Sequence, residues 1–153
     1  MSLKADLLSL QLQPVFESAL ARAGVRTLTP IQVAMIPPML AGRDLIATAQ
    51  TGSGKTLAYA LPLLQQRLQA PEQAPRVLGG LILVPTRELV AQVAQTLLSL
   101  AAALPRRLKI VAATGGEAIN PQLIALRGGA DIVIAPRGGC WTWWRTMHCA
   151  CRR

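Results

Sequence analysis

The stretch AQTGSGKT, Ala49–Thr56, constrains this chain more than any other. It follows a short apolar segment, Asp44–Ala49 (DLIATA), and precedes a run with helical spacing, KTLAYALPLLQQRLQ. Gly52 and Gly54 permit backbone angles that leave successive N–H groups pointing inward, a nest for phosphate oxygens. The helix that follows presents its positive end to the same anion. Lys55 adds a full charge for the β- and γ-phosphates, and Thr56 a hydroxyl able to ligate Mg²⁺. An ordinary glycine turn is the plain alternative, and the strand before, the helix after and the GKT ending argue against it. The loop implies a nucleoside triphosphate without saying what its energy drives.

A strand–loop–helix of this kind belongs in a parallel α/β sheet, and the rest of the chain keeps that alternation. Strands are expected at GLILVP (80–85), KIVAAT (109–114) and DIVIA (131–135), besides 44–49. Between them the spacing predicts helices over 87–104 and near 120–127, with APEQAPRV as a polar loop. Upstream, PVFESALARA (14–23) has helical spacing and stops at Gly24. A second helix is expected to start at Thr29–Pro30 and to be disturbed by Pro37–Pro38. Apolar strands separated by amphipathic helices predict helices on both faces of the sheet.

Composition sets the remaining bounds. Apolar residues make up 52% of the 153 positions and aromatics 3%, so one domain with an aliphatic core is expected. No apolar run approaches the roughly 18–20 residues of a membrane span. The start, MSLKADLLSLQLQ, lacks a signal-peptide block, and a soluble cytoplasmic protein is the expectation. Twelve basic and seven acidic residues precede position 136, and four arginines with no acid follow it. That balance suits a polyanionic partner such as nucleic acid, though a merely soluble basic domain would share it.

In chain order there follow TPIQ (Thr29–Gln32), the AxTGxGKT loop, PTREL (Pro85–Leu89), Gly115–Gly116 and RGGADIVIA. Together these resemble the amino-terminal RecA-like domain of DEAD-box RNA helicases over about residues 7 to 135. NPQLIALRGGADIVIA looks like the bacterial RhlE-type branch. The resemblance implies that Gln32 reads the adenine edge through its amide, with Thr29 supporting that loop. It implies that Ala49, Gln50, Thr51, Gly52, Ser53, Gly54, Lys55 and Thr56 hold ATP, Thr56 through Mg²⁺, and that Lys55 and Thr56 serve the reaction. Pro85, Thr86, Arg87 and the Gly115–Gly116 turn would touch the RNA backbone, contacts that carry no sequence preference. A solvated helix start is the bland reading of Arg87 and Glu88.

Departures from the family pattern matter too. Where the family places an aromatic to stack on the base, this chain has Val25; the upstream phenylalanine falls on Leu7, and the proline before TP is Leu28. Phe16, the lone phenylalanine, is expected to pack in the first helix. Losing a base stack costs roughly 1–3 kcal/mol if nucleic-acid complexes are a fair guide, so loose ATP binding is expected.

The last residues, RGGCWTWWRTMHCACRR, hold every tryptophan, every cysteine and the one histidine of the chain. Cys140, His148, Cys149 and Cys151 would suit zinc chemically, but their spacing lacks paired C-x₂-C knuckles. An RNA-stacking platform of Trp141, Trp143 and Trp144 would need a fold to hold it. The genetic code supplies a third reading. Read one base earlier, the Cys140–Trp141 junction must encode Leu, Trp141–Thr142 Asp, and Trp143–Trp144 Val. Met147–His148 must encode Ala and His148–Cys149 Leu, and permitted choices elsewhere yield TPGRLLDLVENNALRLP, the family's own continuation. One deleted base near codon 135 accounts for the segment.

The expected organisation is therefore an amino-terminal helix and the start of the adenine-reading segment in 1–28, a partial RecA-like ATP-binding domain in 29–135, and an out-of-frame, disordered tail in 136–153. On this reading the chain stops before the Asp-Glu-Ala-Asp motif, the Ser-Ala-Thr motif and the second RecA-like domain. The resemblance places later strands beside 44–49, so that segment is expected to expose an edge. ATP and Mg²⁺ are the implied cofactors and RNA the implied partner.

Overall fold

A computed structural model describes residues 3–72, 74–113 and 124–137. The fold is α/β with a parallel sheet, and the chain divides into two compact units. The tail candidates Cys140, His148, Cys149 and Cys151, the three tryptophans and the Gly115–Gly116 turn lie outside the described residues.

The first unit comprises 1–71 and 96–108. It holds α1 (Leu3–Ser9), α2 (Val15–Arg22), α3 (Pro30–Leu40) and α4 (Lys55–Gln69). Leu7, Phe16, Leu20, Ile36, Leu61 and Leu64 are all essentially sealed from solvent. Phe16 thus packs inside α2, as its place on the apolar stripe predicts. The residues that fit neither solvent nor this core, Gln32 and Gln65, are buried with their amides hydrogen-bonded.

Two expectations fail here. The helix from Pro30 runs unbroken through Pro37 and Pro38. An interior proline costs about 3 kcal/mol through a lost N–H and a clash with the preceding turn. Both prolines fall in the last turn, and their carbonyls accept the N–H groups of Ala41 and Arg43 at 3.0 Å each. Gly42, with φ +69°, closes that end, and the burial of Ile36 holds the helix in place. The second failure is the strand at 44–49, which pairs with nothing among the described residues. Ile46 is fully exposed. A strand exists only with a partner to take its N–H and C=O groups.

The second unit comprises 72–95 and 109–153. Its sheet contains β1 (Gly80–Val84), β2 (Ile110–Ala112) and β3 (Ile132–Pro136) in the order β1-β3-β2, all parallel. β3 is central and buried along its whole length, which is why DIVIA is apolar without alternation. β1 has a neighbour on one side among the described residues, and Leu81 and Leu83 stay half exposed. The strand continues past Ala135 to Pro136, and the Arg137 N–H donates to the Val84 carbonyl at 2.9 Å. Helix α5 (Arg87–Ala101) follows β1 and is shared by the two units along the chain. Of the helix expected near 120–127, the described part, 124–126, is helical.

The segment RGGAD owes its composition to one close approach. Gly129 has φ +79°, and a Cβ there would lie 2.0 Å from the Arg76 carbonyl oxygen. The Arg76 N–H donates to Gly128 at 3.0 Å. Asp131, 4% exposed, accepts the Lys109 N–H at 2.8 Å and pairs with Arg76 at 3.1 Å. These bonds pin the proline-bearing loop and the start of β2 to the head of β3. No described helix is long and apolar enough to cross a membrane.

Candidate nucleotide-binding site

The phosphate loop forms at the start of α4 in the first unit. Gly52 and Gly54 both take positive φ, +81° and +90°. Gly54 is fixed twice over, because a Cβ there would also sit 2.4 Å from Gln32 Nε2 and 3.2 Å from Thr29 Oγ1. The Thr29 hydroxyl donates to the Ser53 carbonyl at 2.9 Å, and Gln32 Nε2 donates to the Gly54 carbonyl at 3.1 Å. Gln32 Oε1 accepts the Thr29 N–H at 2.9 Å, which closes the first turn of α3. Thr29 and Gln32, a sequence apart from the loop, are thereby built into it.

Gln32 is 1% exposed, and each half of its amide already has one partner. An amide offers two N–H donors and two lone pairs, so one of each remains beyond these two bonds. Lys55 Nζ donates to the carbonyls of Ala49 and Gln50, the latter at 2.8 Å. A phosphate binding there has to draw the ammonium off these oxygens. Ser53 Oγ is buried without a hydrogen-bond partner, so the loop holds a hydroxyl ready to donate.

Thr56 lies in the first turn of α4, one turn before Tyr59. Burial pushes the Tyr59 phenol above its ordinary value, and the Thr56 side chain opposes that rise. An apolar hollow of about 510 Å³ opens beside the loop, lined by Thr29, Pro30, Ile31, Ala34, Ala49 and Ser53. No cluster of acidic, histidine or cysteine side chains suited to a metal occurs among the described residues. The loop N–H groups, the Lys55 ammonium and the Ser53 hydroxyl are donors of a kind that suits phosphate oxygens, and Thr56 is a hydroxyl of a kind that suits Mg²⁺.

The expected RNA contacts belong to the second unit. Pro85, Thr86 and Arg87 are exposed where β1 turns into α5. Thr86 acts there as a helix cap, its Oγ1 accepting the Leu89 N–H at 3.4 Å. A hydrogen bond from Thr86, and then its own backbone N–H, hold the Glu88 carboxyl below the usual range. The helix-start reading of Glu88 is thus a real part of its role, and Arg87 remains exposed beside it.

Sequence reasoning missed α1 and Gln65. A signal for Gln65 existed: it falls on the apolar stripe of α4 with Ala58, Leu61 and Leu64, and a polar residue there needs a partner.

A family model described as DEAD/DEAH box helicase matches residues 29–149. The ATP-dependent RNA helicase DeaD of Escherichia coli strain K12 is 44% identical over 125 residues, 82% of this chain and 19% of that protein. Among solved structures, the yeast DEAD-box splicing factor Prp28 superposes with a TM-score of 0.80 at 28% identity, over 91% of this chain and 34% of that one. Prp28 from Chaetomium thermophilum bound to ADP gives 0.74 at 38% identity, over 94% and 33%. The chain spans between 9% and 24% of the length of curated relatives such as these.

Proposed function

The chain belongs to the DEAD/DEAH box helicase family, and on that premise we propose that it is the amino-terminal ATP-binding part of an RNA helicase that separates short RNA duplexes. The RhlE-type branch and a cytoplasmic location complete this reading. The observation that carries it is the joined loop: two glycines at positive φ, Lys55 at the helix start, and Thr29 and Gln32 bonded to the loop carbonyls.

In the proposed site Lys55 and the N–H groups of Gly52–Thr56 hold the phosphates, and Thr56 contributes a hydroxyl to Mg²⁺. Gln32 meets adenine with its remaining donor and acceptor. Bound Mg²⁺ would neutralise phosphate charge. Pro85, Thr86, Arg87, Gly115 and Gly116 meet the RNA backbone. With Val25 in place of an aromatic, binding is weak. Any residual binding favours ADP or ATP over GDP or GTP, and Gln32→Ala erases that preference. Calorimetry with both purines decides it, and equal affinity in the parent chain would sink the assignment.

Holding a triphosphate does not hydrolyse it. Phosphoryl transfer needs a metal fixed by carboxylates, a water in line and positive charge on the γ-phosphate, of which an arginine finger alone is worth about 10³–10⁵ in rate. The 153 residues contain no Asp-Glu-Ala-Asp sequence. The proposed outcome is no RNA-stimulated ATPase and no unwinding from this chain, and both from a frame-restored full-length product. Lys55→Ala abolishes activity in the restored protein and changes no hydrolysis rate in the 153-residue chain. RNA-stimulated hydrolysis by the chain, removed by Lys55→Ala, would refute this. The family match runs into the tail as far as residue 149, and the nucleotide sequence around codon 135 separates an in-frame tail from a shifted one.

Two other readings remain testable. A non-enzymatic nucleotide- or RNA-binding role fits a chain with a phosphate loop and no Asp-Glu-Ala-Asp sequence. A P-loop ATPase acting on DNA would be stimulated by DNA rather than RNA in the restored protein, and TPIQ with PTREL argues against it.

A further inference from the structure

A buried carboxamide ties the phosphate-loop helix to a turn far upstream. Gln65 on α4 is 3% exposed. Its Oε1 accepts the backbone N–H of Gln13 at 2.7 Å, and its Nε2 donates to the Gln11 carbonyl at 2.8 Å. Gln11, between α1 and α2, has φ +59°, an uncommon angle for a residue with a Cβ. Surrounding structure must hold such a turn. Local bonds supply part of that hold, from Gln11 to the Leu8 carbonyl at 3.1 Å and from Leu12 to Leu7 at 2.9 Å. Gln65 adds two further bonds from α4.

An apolar residue at 65 would fill the stripe of α4 without burying a polar group. A doubly bonded glutamine instead fixes direction and distance, since both partners are backbone atoms of one turn. From that turn α2 follows at once, seated by Phe16 and Leu20. It ends at Gly24, φ +75°, and the Val25 N–H returns to the Leu20 carbonyl at 2.9 Å. The helix that starts with the phosphate loop thus sets the position of the segment entering Val25–Gln32.

We propose that Gln65 is a positioning residue for nucleotide binding, holding the base-facing segment Val25–Gln32 in register with the phosphate loop through the Gln11–Gln13 turn and α2. This rests on the nucleotide reading above. A clip that merely stabilised the unit would affect every ligand alike. A positioning residue affects ligands that bridge both parts and spares one that touches the loop alone.

The test compares ADP with inorganic tripolyphosphate, binding each to the 153-residue chain in a titration calorimeter. Gln65→Leu weakens ADP about tenfold, the scale of two ordinary hydrogen bonds, and leaves tripolyphosphate within about twofold. Equal loss for both ligands, or unchanged ADP affinity, overturns the proposal. Where Gln65→Leu fails to fold, hydrogen exchange on the wild-type chain supplies the readout. ADP then slows the Gln13 and Val25 amides together, and tripolyphosphate slows neither. Protection at Val25 without Gln13 overturns it. A wild-type chain that binds tripolyphosphate but not ADP, or neither, removes the nucleotide reading and this proposal together. One that binds both while Gln65→Leu changes neither removes the proposal alone.

Discussion

Two segments of nearly the same character meet opposite fates. Asp44–Ala49 reads DLIATA and Asp131–Ala135 reads DIVIA, each an aspartate followed by small and branched apolar residues. The second becomes the central strand, Ile132 and Ile134 sealed between β1 and β2. The first forms no strand among the described residues and leaves Ile46 fully exposed. Propensity does not separate them. Neighbours do, because each strand residue must give its backbone groups to another segment, and 131–135 has one on each side.

The largest expected effect lies at the head of the successful strand. Gly129→Ala places a methyl group against the Arg76 backbone, which cannot yield as a flexible side chain would. A loss of stability of about 3 kcal/mol or more is expected from the clash and the strained φ together. A denaturant melt unchanged by Gly129→Ala would break the account of how β3 is anchored.

Next in size is a paired test of the strands themselves. Ile134→Ala is expected to cost about 2–5 kcal/mol, the range for emptying a packed site. Ile46→Ala should stay within about 0.5 kcal/mol of wild type. The exposed segment has a different liability, since an extended apolar segment with unpaired backbone groups associates readily. The 153-residue chain is therefore expected to bind hydrophobic dyes and aggregate, and Ile46→Lys to raise its soluble yield without moving its melting midpoint. A sharp, reversible melt of the unaltered chain, free of aggregation, would count against this view. Amide exchange sharpens the contrast, slow at 132–136 and fast at 44–49.

The smallest effect is at the cap of α5. The Thr86 bond holds the Glu88 carboxyl below its ordinary range, and Thr86→Ala should return it upward in an NMR titration while costing about 1 kcal/mol through the lost cap. The sign follows from a depressed folded pKa. The contribution is complete above the unfolded value near 4.5 and disappears as pH falls through the lower folded value. Because Glu88 is fully exposed, the carboxyl's own share should be small and screened by salt. A Glu88 titration unmoved by Thr86→Ala would remove the cap's role.

The loop was legible in the sequence because its determinants act within a few residues. Glycines at 52 and 54, a lysine and a threonine at a helix start, and Thr29 ahead of Pro30 are local chemistry, and each takes its expected place. So do the apolar stripe that buries Phe16 and the continuous apolar run that makes β3 central. Tertiary structure decided the remainder. It carried α3 through Pro37 and Pro38, because Ile36 and the cap at Gly42 outweigh a local penalty. It set Gln65 against a turn more than fifty residues upstream, and Gly129 against Arg76 in another segment. It left Asp44–Ala49 unpaired among the described residues, since a strand's hydrogen bonds close only on partners supplied from elsewhere in the chain. Backbone sterics and helical period are written in neighbouring residues; pairing and packing are written in distances the sequence does not state.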